Sequence, residues 1–239
     1  MESMIGIQSD NHGNVQTLQT NIDMYGCSGM TVFHVGDFGY WLSPSFQDEY
    51  KYSKTLKLFN KFLKTRGITM YVIRGNHDNP AYFDGRFILS NVKLVPDYTV
   101  VSVNNENWLL VGGAISIDRG ARKQGITYWK TEEFNLEYDK IAALRDIKNV
   151  VTHTAPGVGL DVEIIAGQVV KQFAWAYNDN TLLEEIRAER LQVQTMCDLL
   201  KENNDISKWY FGHFHIRMNH EYKGTKFTCV EIDALLEHR

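Results

Sequence analysis

Short apolar runs that each stop at a polar, glycine-containing loop constrain this chain more than any other feature. Residues 4–8 lead into Ser9-Asp10-Asn11-His12-Gly13, residues 31–35 into Gly36-Asp37-Phe38-Gly39, and residues 69–73 into Arg74-Gly75-Asn76-His77-Asp78. Runs this short, bounded by turn residues, read as buried strands, and the helix-like stretches between them read as crossovers in a layered α/β fold. Ligands of open α/β sheets collect at the carboxyl ends of the strands, so the three loops are expected to converge on one crevice. Two later runs repeat the arrangement: residues 150–152 end in His153-Thr154-Ala155-Pro156, and residues 209–211 end in Gly212-His213-Phe214-His215.

The remaining pattern supplies layers around these strands. Residues 46–64 place Tyr52, Leu56, Phe59 and Leu63 at helical spacing with lysines opposite, and Gly67 stops that helix. Residues 92–116 are strand-rich, with Asn104-Asn105-Glu106-Asn107 as the hairpin turn, so a second sheet is expected. Residues 160–204 are mostly helical: Thr181 and Glu184 fit a capping box, and Leu183, Ile186, Leu191, Met196 and Leu199 form an apolar stripe. No repeat, low-complexity tract or linker interrupts the chain, so residues 1–239 are read as one domain with a helical insertion at about 160–204.

Composition narrows the partners. At 239 residues and 44% hydrophobic content the chain can bury its own core, and its net charge of -4, with both signs mixed, provides no basic stripe for strong non-specific nucleic-acid binding. A polyanionic substrate must then be held locally, by metal or by a few arginines. Cys27, Cys197 and Cys229 are odd in number and widely spaced, which indicates neither a disulfide framework nor a zinc knuckle and fits a reducing cytoplasm. No stretch approaches the ~20 apolar residues of a membrane span, so no membrane partner is expected.

The five strand ends together present Asp10 with His12, Asp37, Asn76 with His77, His153, and His213 with His215. Carboxylate oxygen mixed with imidazole nitrogen suits divalent cations, with manganese first and iron, zinc, nickel or cobalt as alternatives. A carboxylate can bridge two such ions ~3.5–4 Å apart, and Asp37 is the natural bridge. His213 and His215 lie two residues apart, so on an extended strand end they point to one side and could serve one ion each.

In content and order these motifs resemble those of the calcineurin-like metallophosphoesterase superfamily: Asp-x-His, Gly-Asp, Gly-Asn-His-Asp/Glu, His and Gly-His-x-His, spanning residues 10–215 here. The resemblance implies a four-layer α/β/β/α sandwich of two mixed sheets that hydrolyses phosphate mono- or diesters at a dinuclear metal centre. It implies that Asp10, His12, Asp37 and His215 hold one metal, and Asp37, Asn76, His153 and His213 the other. His77 would stay off the metals and give a proton or hydrogen bond to the leaving oxygen. Two cations make hydroxide available near neutral pH and neutralise charge on the phosphoryl oxygens, and a general acid opposite the attacking oxygen contributes a further ~10²–10⁴-fold.

Several neighbours carry two readings. Asp78 completes its motif as a second candidate catalytic residue, or holds the loop. Asn11 stands at the variable position of Asp-x-His, where it could touch a phosphate. The segment Gly112-Gly113-Ala114-Ile115-Ser116-Ile117-Asp118-Arg119, with Arg122, Tyr128-Trp129 and Glu132, resembles a bacterial and phage-encoded branch of the superfamily. Arg119 or Arg122 would there offer a planar fork of donors to the substrate phosphate, or pair with Asp118 or Glu132 to pin a loop. His34, inside a strand, is read as packed, and His220 and His238 as solvated. Tyr40, Trp41, Trp129, Phe173 and Trp175 either stack on a nucleoside or aryl group or pack a core or lid.

Departures from the superfamily also count. Its Ser/Thr protein phosphatases carry Gly-Asp-x-Val-Asp-Arg-Gly and Gly-Asn-His-Glu, whereas Gly36-Asp37-Phe38-Gly39-Tyr40 and Gly75-Asn76-His77-Asp78 stand here, which disfavours that activity. Two alternatives remain at this level: a nuclease or cyclic-nucleotide phosphodiesterase capped by the helical segment, and a catalytically silent scaffold of the same fold that binds another protein.

Overall fold

The structure, a computed structural model, describes residues 3–25, 28–39, 49–85, 89–157 and 162–238, with the side chains of 49–53 and 162–166 left aside. Cys27, Tyr40, Trp41, the side chain of Tyr52, residues 46–48 of the expected helix and residues 160 and 161 of the expected insertion lie outside that description. The first sheet contains β1 (Ile5–Gln8), β2 (Thr31–His34), β3 (Thr69–Val72) and β4 (Val92–Leu94), all parallel, with β11 (Leu235–Glu237) antiparallel beside β1. The second has the order β5 (Thr99–Val103), β6 (Glu106–Val111), β7 (Ile147–Thr152), β8 (Lys208–Phe211), β10 (Thr225–Cys229), β9 (Met218–Tyr222). Its four inner strands are parallel and its two outer strands are the antiparallel arms of hairpins.

Helices cover the outer faces because their apolar residues recur on one side. α1 (Val15–Tyr25) buries Leu18 and Ile22, and α2 (Glu49–Thr65) buries Leu56, Phe59 and Leu63, against the first sheet. α2 stops where Gly67, at φ +65°, donates to Lys64 O while Ile68 N donates to Leu63 O; only glycine adopts that backbone without strain. On the second sheet, α3 (Tyr138–Ala143) contributes Ile141, and α5 (Leu182–Asn203) contributes Val193, Met196, Cys197 and Leu200. Between the sheets, Ile5, Ile7 and Phe33 meet Trp108, Leu110 and Val151, with the Phe33 and Trp108 rings stacked at 4.3 Å. The result is the four-layer α/β/β/α sandwich of two mixed sheets expected from the sequence. Each of these fully buried side chains contributes roughly 1.5–3 kcal/mol of transfer free energy.

Local expectations differ in four places. The hairpin turn is Asn104-Asn105 alone, both at positive φ, while Glu106 and Asn107 already pair with Val103 and Ser102. Thr181 precedes α5 but makes no side-chain cap, because its hydroxyl is drawn to Asp179 and Arg119 instead. Leu191 is 66% exposed and does not belong to the buried stripe of α5. His220 and His238 are half-buried, not solvated: His238 sits edge-on to Trp108 and shares a hydrogen bond with the Tyr210 hydroxyl at 2.9 Å. No described helix is long and apolar enough to cross a membrane.

Candidate metal centre

The loops after β1, β2, β3, β7 and β8 meet at one end of the sandwich, and backbone contacts fix them to one another. Asp10 Oδ2 accepts from His213 N at 2.9 Å, and Asp37 Oδ1 accepts from His77 N at 2.8 Å. Asp78 is fully buried and uses both carboxylate oxygens on backbone: Oδ2 accepts from Gly75 N and Phe38 N, and Oδ1 from Gly39 N. It therefore ties the Gly36-Asp37 loop to the Gly75-Asn76 loop, the geometry of a loop-holding residue. Burial, and then the charge of Asp37, push its carboxyl up to about 7 against these N–H donors.

The motif glycines are where loops approach most closely. A Cβ on Gly75 would lie 2.1 Å from Asp37 Oδ1, and one on Gly212 would lie 2.4 Å from Asp10 Oδ1. Any side chain at either position would displace a carboxylate. Four of the seven candidate ligands, His12, Asp37, His213 and His215, sit at positive φ between 43° and 67°. Non-glycine residues in this region are strained, and such strain concentrates at functional sites.

Two groups of donor atoms result. Ligand atoms of Asp10, His12, Asp37 and His215 lie within 4.8 Å of one another, as do those of Asp37, His153 and His213. Asp37 belongs to both. In the first group the Nε2 atoms of His12 and His215 are 3.3 Å apart, with Asp10 Oδ2 3.3 Å from His215. In the second, His153 Nδ1 is 2.7 Å from Val35 O, which commits that nitrogen as donor and turns Nε2 toward Asn76 Oδ1 at 2.9 Å and Asp37 Oδ1 at 3.4 Å. Asn76 thus joins the second group.

These contacts fit divalent cations. Asp10 Oδ1 is buried without a hydrogen-bond partner, and oxygen and nitrogen acceptors crowd toward common points, an arrangement that a cation relieves. The electrostatics agree. Burial would lower the His153 imidazole, but the charge and hydrogen bond of Asp37, followed by Asp10, raise it to about 9, which reports the pull of two buried carboxylates on positive charge at this point and not a ring poised as a ligand. Burial would raise Asp37, yet His153 and His77 hold its carboxyl well below the usual range. Burial, reinforced by His153, drives His213 down to about 3, leaving a neutral imidazole suited to ligation.

His77 stands at the edge of the centre, its ring 5.0 Å from that of His12 and its Nδ1 buried without a partner. His34 is packed, as read from the sequence: fully buried, it accepts from Gly36 N at Nδ1 and donates from Nε2 to Asn11 Oδ1 at 2.8 Å. Asn11 Nδ2 is left as a buried donor without a partner. Arg119 forks onto Asp179 and Thr181 in the turn between α4 (Val162–Ala176) and α5 and onto Glu185 in the first turn of α5. Arg122 pairs with Asp118 and hydrogen-bonds Ser116, Thr127 O and Asn76 O, and Arg74 pairs with Asp97 and three backbone carbonyls. Trp129 packs on the first core, and Trp175 is 85% exposed.

One element of the site escaped the sequence. Asn76 Nδ2 donates to Ser116 Oγ at 3.0 Å, and Ser116 in turn bonds Glu132 and Arg122. This buried relay fixes which end of the Asn76 amide faces the centre. Ser116 and Glu132 lie in the segment already singled out around Arg119, but no spacing rule places them against Asn76.

A model of the family described as calcineurin-like phosphoesterase matches residues 4–217. The chain belongs to that family. As a calcineurin-like phosphoesterase it is a phosphoric ester hydrolase, and its family uses divalent metals. No curated protein matches it in sequence. Among solved structures, the protein TT1561 of Thermus thermophilus aligns with a TM-score of 0.56 at 10% identity, covering 98% of this chain and 91% of that one. A Staphylococcus aureus protein described as a candidate 5′-nucleotidase, solved with alpha-ketoglutarate, aligns at 0.52 and 13% identity over 98% of this chain and 50% of its own. At such identities the likeness is one of fold.

Proposed function

We propose that this phosphoesterase hydrolyses phosphate mono- or diesters at a dinuclear centre, with Asp10, His12, Asp37 and His215 around one divalent ion and Asp37, Asn76, His153 and His213 around the other. The observation that carries this reading is that two donor groups share one carboxylate, Asp37. A mixed oxygen and nitrogen set suits manganese, iron, zinc, nickel or cobalt, and manganese is the first to test. When bound, the ions make water nucleophilic near neutral pH and neutralise charge building on the phosphoryl oxygens.

The residues of the chain supply the rest. His77 hands a proton or an N–H hydrogen bond to the leaving oxygen, and its backbone N–H on Asp37 keeps this donor in step with the shared ligand. Asn11, whose amide nitrogen lacks a partner, is the candidate contact for a phosphoryl oxygen. Arg122 acts through Asn76 and Ser116, and Arg119 through the helix turn it clasps. In this reading residues 160–204 form an insertion that walls the substrate side of a single domain, and the free, buried Cys197 and Cys229 suit the cytoplasm.

Metal removal tests the proposal. Chelated protein should lose hydrolysis of a nitrophenyl monoester and a bis-nitrophenyl diester, and added manganese should restore it. Undiminished turnover by protein shown to be metal-free would contradict the mechanism, and no turnover with any of the five metals would favour the silent scaffold.

A further inference from the structure

Beside the ligand loops lies a cavity of about 590 Å³, within the ~300–1,000 Å³ range of small-molecule sites. One side of it is made by Asp37, Asn76, His77, His213 and His215. The opposite side is mostly apolar: Ile117 and Phe214 from loops, Val170 and Phe173 from α4, Leu183 and Ile186 from α5. Val170 is buried there, and the others are partly buried around the same small cluster or beside it. Phe173, which from sequence could either stack on a ligand or pack a core, lines this cavity.

We propose that the cavity receives the leaving alcohol of the substrate, and that this alcohol carries a flat, apolar ring. The inference rests on the phosphoesterase reading above. In an in-line displacement the leaving oxygen departs from phosphorus opposite the attacking water, and His77 is the donor that meets it. Whatever that oxygen carries must then occupy the space in front of His77, and His77 lines this cavity. In the balanced reaction the phosphorus–oxygen bond to the alcohol breaks, one to the water oxygen forms, and a proton is delivered to the alcohol at His77. A ring gains by covering the apolar wall, since each buried Å² contributes about 25 cal/mol, whereas a two-carbon alcohol covers little of it. Lys171, Arg187 and Arg190 also line the helix side, and Asp37 and Asp118 the facing side, so charges of both signs border the apolar wall.

The test compares two alcohols of nearly equal basicity, so that leaving-group chemistry does not bias the answer. Benzyl and ethyl phosphates, each as monoester and as methyl diester, are assayed with manganese by release of the named alcohol. The expected kcat/KM for the benzyl ester exceeds that for the ethyl ester by about tenfold or more. Phe173→Ala and Ile186→Ala should each pull the benzyl-to-ethyl ratio down. Equal kcat/KM for benzyl and ethyl esters, or a ratio unmoved in both variants, overturns the inference and leaves the phosphoesterase reading standing. Hydrolysis of none of these esters, nor of the nitrophenyl esters, removes that reading and the inference with it.

Discussion

The two sides of the cavity are built on different principles. On the loop side four of the seven candidate ligands are held by a second contact: Asp10 by His213 N, Asp37 by His77 N, His153 by Val35 O, Asn76 by Ser116. On the helix side, α4 joins the fold through the small cluster around Val170 and Leu182 and through the Arg119 clasp on Asp179 and Glu185, while Trp175 stays 85% exposed. Chemistry requires groups fixed to fractions of an ångström, whereas recognising an apolar ring tolerates looser walls. Changes on the loop side should decide whether any ester is cleaved, and changes on the helix side which one.

The largest effect that would sharpen this contrast is that of His77→Asn. It should keep the metals yet slow hydrolysis by about 10²–10⁴-fold, most for basic leaving groups. A full rate with an alkyl ester would remove His77 from its assigned role and break the claim that the loop side carries the acid.

Ser116→Ala comes next. Without the hydroxyl, Asn76 Nδ2 loses its acceptor and the amide is free to turn, so metal affinity should fall by about 10–100-fold. Ser116→Thr, which keeps the hydroxyl, should recover most of it. An unchanged affinity in Ser116→Ala, measured by titration with manganese, would show that the relay does not orient Asn76.

The smallest expected effect on activity lies where the helix side meets the sheets. Glu189 on α5 is buried and accepts from Phe134 N at 3.1 Å; burial raises its carboxyl from the ordinary 4.5 to about 7, against the N–H groups of Phe134 and Ile115. A carboxyl with a raised folded-state pKa contributes stability that is complete below about 4.5 and is lost as pH rises through about 7. Unfolding free energies from urea titration should therefore decline across that window, with Glu189 contributing on the order of 3 kcal/mol, and Glu189→Gln should remove that share of the decline. A slope unchanged in the variant would assign the pH dependence elsewhere, and a lost esterase activity would mean that the two sides are not separable.

What the sequence disclosed follows the same division. Strand ends and their polar loops were legible because a buried strand must end abruptly, and motif order carried the rest; Asp10, His12, Asp37, His153, His213 and His215 do come within ligand distance of one another in two groups. The Ser116 to Glu132 relay was not legible, since a contact between residues 40 apart in Asn76 and Ser116 leaves no local periodicity. Thr181 misled because a capping box competes with long-range partners, here Arg119. His238 misled because β11 returns to pair with β1 and carries that histidine onto Trp108, although the chain end reads as polar. Leu191 kept helical spacing but faces outward, and spacing alone does not say where a neighbouring layer stops.

In the proposed centre one carboxylate, Asp37, belongs to two metal positions, and metal analysis of Asp37→Asn puts this to the test. An Asn side chain can still accept from His77 N, so the loops should hold. Wild-type protein loaded with manganese should carry two ions per chain, and the variant should show reduced occupancy of both. A variant that retains two full equivalents would contradict the shared site.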